Sequence, residues 1–456
     1  MTQILEVYVG MQWGDEGKGK IVDERVTYAQ SLDDGKRTIV TRYQGGNNAG
    51  HSVYVRDPAS GELRKFVTHA APSGLTSNAD IAIGPHVAFS PESFLGELKD
   101  ARRLFQYRGD VLISERVGVL FDYHRSLDAW YESQGGTSKV GTTKQGIGPF
   151  YSDNARRTTR ITFGEYISNR FPAKLHEVLH MKRFELQQSG ILVDDYEERL
   201  LAQHAPIREE LAPYAQRLEY RLQEYLSRGN HIIIEGAQGT GLDLDMGTIP
   251  DQTSSHLLAP HAFPMLGLPR NVFSIYGVEK VYPTRVGEGV LPTLARDTFG
   301  ETTAQNAGEF GATTGRKRRV GYPDWVFVRR SAMINDCDGI YLMRVDNVQD
   351  MDLQACTAYL YPSGELSAEV PLILEGIKPI YGVTSYRWHL WDGPENLSKP
   401  EEVDVALQPL RAHYVERGFK GLPSSLQKFV EYHDAFVGVK TVGISIGPSR
   451  GETILL

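Results

Sequence analysis

The chain has 456 residues, 41% hydrophobic and 23% charged, which is enough length and apolar content to bury a large core. Its 49 basic and 57 acidic residues give a net charge of −8, which argues against general nucleic-acid binding and against a polybasic membrane anchor. The two cysteines form neither a disulfide framework nor a zinc-ligand spacing, and no repeat explains the 46 glycines.

The first ten residues carry no basic n-region, and Glu6 interrupts their apolar run, so no signal peptide is expected. No apolar run approaches the ~20 residues of a membrane helix. A reduced, cytoplasmic setting is the expectation. Ile4 to Gly10 predicts a buried strand. It runs into Gly14, Asp15, Glu16, Gly17, Lys18, Gly19, Lys20 and Ile21. Gly14, Gly19 and Lys20 satisfy the G-x4-G-K spacing of a phosphate loop, with Ile21 where a metal-binding hydroxyl usually stands. Such a loop lets backbone N–H groups and a helix N-terminus converge on phosphate oxygens. With no hydroxyl present, Asp15 becomes the candidate for metal binding or proton abstraction. The bland reading is a glycine-rich turn with solvated charges, and the strand–loop–helix context weighs against it.

Thr38 to Tyr43 predicts a second strand, feeding Gln44, Gly45, Gly46, Asn47, Asn48, Ala49, Gly50 and His51. Alone, His51 reads as a capping residue of a turn. Beside Asp15 at a neighbouring strand end it becomes an acid–base partner. Further strands are expected at Ile81 to Gly84, Val111 to Ser114, His231 to Glu235, Val278 to Tyr282, Gly339 to Val345 and Val439 to Ile446. Helical patterns cover Pro91 to Tyr107 and Pro323 to Ile334. Pro172 to Arg228 reads as a helical excursion broken at Pro206 and Pro213. This alternation predicts an α/β fold with one large, mostly parallel sheet flanked by helices, a P-loop-like phosphate site and smaller helical and β excursions. We expect a single domain over residues 1–456, with ligands at the carboxyl ends of the strands.

Several motifs together resemble the adenylosuccinate synthetase family. They are Gln12 to Asp23 (QWGDEGKGKIVD), Arg42 to His51 (RYQGGNNAGH), Pro72 to Gly74, Phe121 to His124, Thr142 to Pro149 and Glu235 to Asp245 (EGAQGTGLDLD). Pro283 to Thr293, Ala307 to Arg319 and Ile444 to Thr453 complete the set, which spans the chain.

The resemblance implies a ligase that joins IMP to L-aspartate with GTP and Mg2+, through a 6-phosphoryl intermediate, in AMP biosynthesis. It implies that Asp15 takes the N1 proton and binds magnesium with the Gly50 carbonyl. His51 would assist phosphoryl transfer and Lys18 would contact the phosphates. IMP would meet Asn48, Thr143, Gln238, Thr253 and Arg316. One arginine of the Arg156–Arg157 pair, with Arg157 preferred, would reach the neighbouring site of a homodimer. Thr313, Thr314, Arg316 and Arg318 would hold aspartate, since guanidinium forks suit carboxylates. Gly14, Glu16, Gly17, Lys18, Gly19, Lys20, Arg318, Arg344, Asp346, Ser445 and Gly447 would hold the nucleotide.

The chain departs from the family pattern in places. Arg344 replaces a lysine over the guanine base, Lys144-Gln145 replaces Gly-Arg, and Asn47 replaces a histidine. Extra length lies around Gln187 to Glu198 and around Tyr386 to Glu402. A relative that acts on (d)GMP loses the aspartate that is retained here as Asp15, which favours IMP. Two alternatives stay open. One is a paralogous ligase using ATP or a changed amino acid or purine; the other is a non-catalytic purine-nucleotide sensor.

Overall fold

A computed structural model of the chain describes residues 3–56, 63–135, 141–286, 289–310, 318–392 and 400–456. The chain begins with β1 (Leu5–Gly10), α1 (Lys18–Ser31), β2 (Thr38–Gly46) and the antiparallel pair β3 (His51–Arg56) and β4 (Leu63–Thr68). It continues through β5 (Asp80–Ala88), α2 (Pro91–Phe105), β6 (Val111–Ser114), α3 (Asp122–Gln134) and α4 (Ile147–Arg156). Helices α5 (Phe163–Tyr166), α6 (Phe171–Met181), α7 (Arg183–Gln188) and α8 (Val193–Leu211) follow. After β7 (Ala215–Gln216) and α9 (Leu218–Ser227) come β8 (His231–Gly239), α10 (Ala259–Leu266) and β9 (Ser274–Lys280). The remainder is β10 (Thr284–Arg285), α11 (Thr298–Asn306), β11 (Arg319–Val320), α12 (Trp325–Asn335), β12 (Gly339–Met343) and β13 (Leu353–Leu360). It ends with β14 (Leu366–Ser367), β15 (Lys378–Tyr386), α13 (Pro400–Arg417), α14 (Ser424–Val437), β16 (Thr441–Ser445) and β17 (Thr453–Leu455).

Ten strands form the main sheet in the order β17-β16-β12-β9-β1-β8-β2-β5-β6-β7. All pairs are parallel except β16 with β17. The α/β architecture expected from the sequence is therefore the one observed. Strand β1 lies between β8 and β9 with both faces covered. Side chains alternate across a strand. Val7 and Val9 pack with Ala262, Phe263 and Leu266 of α10, while Tyr8 packs with Ile21, Val22 and Val26 of α1. That two-sided burial explains why β1 is mostly apolar on both faces, with buried Glu6 paired to Arg25 at 2.6 Å as the exception.

Two expectations need correction. Pro206 does not break the excursion: it lies inside α8. Pro206 and Ala202, whose carbonyl the missing N–H would have met, are both exposed, so water satisfies that carbonyl. His204 is anchored by the Tyr166 hydroxyl at 2.8 Å, which carries the helix through. The strand expected at Val278 to Tyr282 runs instead over Ser274–Lys280, because pairing with β1 and β12 sets its register. The antiparallel pair β3–β4 and the three-stranded sheet β14-β13-β15 had no clear signal in the apolar pattern.

Candidate active site

A cleft of about 1450 Å³ opens at the carboxyl ends of β1, β2, β8 and β12. The loop after β1 forms its floor. Gly17 caps α1 with φ +100° and no side-chain cap, so the start of that helix meets the cleft uncapped by a side chain, with the Lys20 N–H bonded back to the Gly17 carbonyl at 3.1 Å. Glu16 builds this loop. Its buried carboxylate accepts from the backbone N–H groups of Gly14 at 2.8 Å and Gln12 at 3.1 Å, and from Lys18 Nζ at 2.7 Å. A Cβ on Gly239 would come 2.2 Å from that carboxylate, so only glycine fits there. Glu16, nominated for the nucleotide, thus supports the loop from within and fixes Lys18 beside it.

His51 opens β3 and lies at the cleft, 7% exposed. Its Nδ1 meets Glu235 of β8, which also accepts from the Ser73 N–H at 2.7 Å and the Ser73 hydroxyl at 2.6 Å. Burial, joined by the Arg42 charge, pushes the His51 pKa down to about 4, although Glu235 pulls the other way. Burial opposes the Glu235 charge, but His51 and Arg42 prevail and bring its pKa to about 2. Neutral His51 therefore donates from Nδ1 to a charged carboxylate and keeps its Nε2 lone pair. Nε2 is buried without a partner among the described residues.

Asp15 has φ +60° and a side chain 32% exposed. Arg318 Nη2 pairs with it at 2.9 Å, and Arg318 Nη1 with Glu309 at 2.6 Å. Glu309 is buried and also accepts from Tyr282 Oη at 3.0 Å and Lys280 Nζ at 3.2 Å. Burial lowers the Lys280 pKa to about 8, against the pull of Glu309. A chain of alternating charge thus runs from the cleft into the core behind Asp15.

At the other end of the cleft, Arg344 has φ +62° and donates from Nη1 to the Ala307 carbonyl at 3.1 Å. Asp346 Oδ1 is buried without a partner among the described residues. Lys20 does not face the phosphate loop. Its Nζ donates to Ser445 Oγ at 2.7 Å, to the Gly447 carbonyl at 2.8 Å and to the Glu452 carbonyl at 3.2 Å. The helix geometry of α1 turns Lys20 toward β16, so it braces Ser445 and Gly447.

Asn48, Gly50, Thr143, Gln238 and Thr253 line the same cleft. Asn48 Oδ1 and Gln238 Oε1, like His51 Nε2, are buried without partners among the described residues. Buried polar atoms are normally paired, so three such atoms on one wall mark where a ligand's hydrogen-bonding groups fit. Arg157, with φ +60°, is exposed and outside this cleft. Thr313, Thr314 and Arg316 lie outside the described residues. No cluster of three or more His, Cys, Asp or Glu fit for a metal occurs among the described residues. Asp15 and the Gly50 carbonyl supply one carboxylate and one neutral oxygen. That set suits magnesium, which binds through one or two carboxylates, water and substrate phosphates.

Glu235, Glu309 and Lys280 were not singled out for roles from the sequence. Glu235 had a signal: an acid ending the run His231-Ile232-Ile233-Ile234 that reads as fully buried. No helix among the described residues is long and apolar enough to cross a membrane.

Residues 7–454 match the family model described as adenylosuccinate synthetase. The adenylosuccinate synthetase of Geotalea daltonii is 36% identical over 99% of this chain and 98% of its own length. That of Alkaliphilus metalliredigens is 35% identical over 98% of each chain. The structure of fully ligated adenylosuccinate synthetase from Plasmodium falciparum superposes with a TM-score of 0.83 at 26% identity, covering 99% of both chains. A cyanophage succinoaminodeoxyadenylate synthetase bound to dGMP and dATP shares the fold, with a TM-score of 0.60 at 15% identity.

Proposed function

Because the chain belongs to the adenylosuccinate synthetase family of C–N-forming ligases in purine biosynthesis, we propose that it joins IMP to L-aspartate at the expense of GTP. The observation that carries this reading is His51: buried at the cleft, held through Nδ1 by Glu235, with Nε2 unpartnered beside the phosphate loop.

A 6-oxopurine oxygen is a poor nucleophile. Asp15 removes the N1 proton of IMP, which places negative charge on O6. O6 then attacks the γ-phosphorus, and GDP leaves. The N–H groups at the start of α1 and Lys18 stabilise the charge that moves between the phosphates. Phosphate charge near His51 raises its proton affinity, so Nε2 becomes a donor to the transferring group. The aspartate amine then attacks C6, inorganic phosphate leaves, and the amine loses its proton. Magnesium would be held by Asp15 and the Gly50 carbonyl and would neutralise charge on the nucleotide phosphates.

The Asp15–Arg318 ion pair must open before Asp15 can act as the base. Arg318 then serves the aspartate carboxylates or the nucleotide phosphates, with Thr313, Thr314 and Arg316 as its partners in that role. Arg157 serves the IMP phosphate of the neighbouring subunit in a homodimer, which accounts for its exposure outside its own cleft. Mixing an inactive Asp15→Ala chain with an inactive Arg157→Ala chain should restore part of the activity, because hybrid dimers contain one intact site.

The direct test is purified protein with IMP, L-aspartate, GTP and magnesium, followed by adenylosuccinate formation and phosphate release. No product under these conditions sinks the reading. ATP as phosphoryl donor is a second reading, favoured by Arg344 in place of the family's lysine; direct competition between GTP and ATP decides it.

A further inference from the structure

Beyond the phosphate loop, the cleft is walled by a segment to which no motif assigned a role. Val403, Leu407 and Arg411 of α13 recur every four residues, and Asp404 lies beside them. Helical periodicity places the four-residue series on one face. With Trp391 they share the cleft with Asp346 and Gly447. This helix adjoins the extra length around Tyr386 to Glu402.

Arg411 is 4% exposed. Its Nη1 donates to Glu452 Oε1 at 3.0 Å and to Asp404. Glu452 Oε2 in turn accepts from the Ser449 N–H at 2.8 Å, two residues after Gly447. The guanidinium lies 5.8 Å from the Trp391 ring centroid. A Cβ on Gly447 would come within 2.7 Å of both Arg411 Cδ and Nε. Arg411 is therefore pressed against the backbone of the loop read as contacting the base. Arg411 Nε and Asp346 Oδ1 are both buried without partners among the described residues. Burial works against the Asp346 charge, and Arg411 is the foremost neighbouring charge that opposes it, ahead of Arg344. A buried carboxylate without a countercharge gives up its ionisation, and Asp346 must be ionised to accept two N–H groups at once.

We propose that Arg411 is a positioning residue for nucleotide-base recognition, holding the Asp346 carboxylate where it reads the N1–H and N2–H groups of guanine and fixing the Gly447 backbone beside it. Helix α13 is then the base-side wall of the pocket. This rests on the reading of the cleft as a GTP site.

The test is calorimetric titration of the full chain with GDP and with ADP, alongside steady-state turnover. The wild-type chain should prefer GDP. Arg411→Met should weaken GDP about tenfold and leave ADP within twofold, collapsing the preference. KM for GTP should rise in parallel, while kcat and the KM values for IMP and aspartate stay within twofold. Arg411→Lys, which keeps the charge, should recover part of the preference. If Arg411→Met unfolds, Asp404→Asn, which loosens the guanidinium by removing one of its two carboxylate partners, should show the same trend at about threefold. Equal weakening of GDP and ADP, parallel changes in every KM, an unchanged preference, or a wild-type chain without preference overturns the proposal. Base selectivity that Arg411→Met abolishes, in a chain that makes no adenylosuccinate, would sink the proposed function and leave this inference standing.

Discussion

The proposed phosphate and base ends of the cleft are built in different ways. The phosphate end uses strand-end loops, where a few consecutive residues supply most of the chemistry: Gly14 to Lys18 after β1, and Asn48 to His51 after β2. The base end is assembled from distant segments. Arg344 and Asp346 follow β12, Ser445 and Gly447 lie at the end of β16, and Arg411 comes from α13. Both ends rest on buried carboxylates, Glu235 holding neutral His51 at one and Glu452 pairing with Arg411 at the other. The lesson is that phosphate recognition needs backbone N–H groups and local charge, whereas reading a base edge needs donors and acceptors brought together by tertiary packing.

This contrast predicts that damage to the phosphate end lowers kcat and damage to the base end raises KM for the nucleotide. The largest effect is expected from His51→Ala or Asp15→Asn. Either should lower kcat by about a hundredfold to ten-thousandfold with GDP affinity nearly intact, as steady-state kinetics and calorimetry would show. A loss confined to KM would erase the contrast.

Glu235→Gln comes next. It should lower kcat by about tenfold to a hundredfold while leaving all three substrates bound, because His51 loses the charged acceptor that sets its tautomer. The same change removes the charge that raises the His51 pKa, so the His51 imidazole should titrate below about 4 in NMR. An imidazole that still titrates near 4 in this variant would show that Glu235 does not raise its pKa.

Asp346→Asn should act on the other parameter. It should raise KM for GTP about tenfold to a hundredfold, the cost of charge-assisted hydrogen bonds to the base, with kcat changed only a few-fold. A drop in kcat with unchanged KM would put Asp346 on the wrong side of the comparison.

The smallest effect concerns stability at the two extremes of pH. His51 has a folded pKa of about 4, below its ordinary 6.5, so the unfolded chain takes up this proton first. Its contribution is complete above pH 6.5 and is lost as pH falls toward 4. His433 lies behind the base end, buried against Glu279 of β9 at 3.0 Å. Burial opposes its charge, but Glu279 and Asp434 prevail and raise its pKa to about 9. Its contribution is complete below pH 6.5 and is lost as pH rises through 9. Urea unfolding should show each limb at about 1–3 kcal/mol, and His433→Asn should remove the alkaline limb alone. An alkaline limb that persists in that variant would belong to other groups.

Much of the phosphate end was legible because its residues are contiguous. The G-x4-G-K spacing, the strand before it and the helix after it all lie within residues 4–31, and α1 begins where the spacing places it. The helical excursion was legible as helix but not in its breaks, since Pro206 falls on an exposed turn where a lost hydrogen bond is satisfied by water. Glu235 lies 184 positions from His51, and no local pattern joins them. The chain from Lys280 through Glu309 and Arg318 to Asp15 is likewise invisible until β9, β11 and the first loop meet. Lys20 matched the phosphate-loop spacing, yet its three donors go to Ser445, Gly447 and Glu452. Spacing places a side chain along a helix; neighbours decide where its head group goes.

The 46 glycines show the same division. By itself the sequence pointed to many of them as residues of loops after buried strands, matched the chain to one family's motif order, and nominated Asp15 and His51 as the groups to move protons. Those conclusions depend on local spacing and residue chemistry. Only the tertiary structure decided that Gly239 makes room for the Glu16 carboxylate and that Gly447 makes room for Arg411. It also decided that burial and the Arg42 charge keep His51 neutral while Glu235 holds its Nδ1. A pKa, a tautomer or a close approach depends on what lies within a few ångströms, and distance along the chain does not specify that.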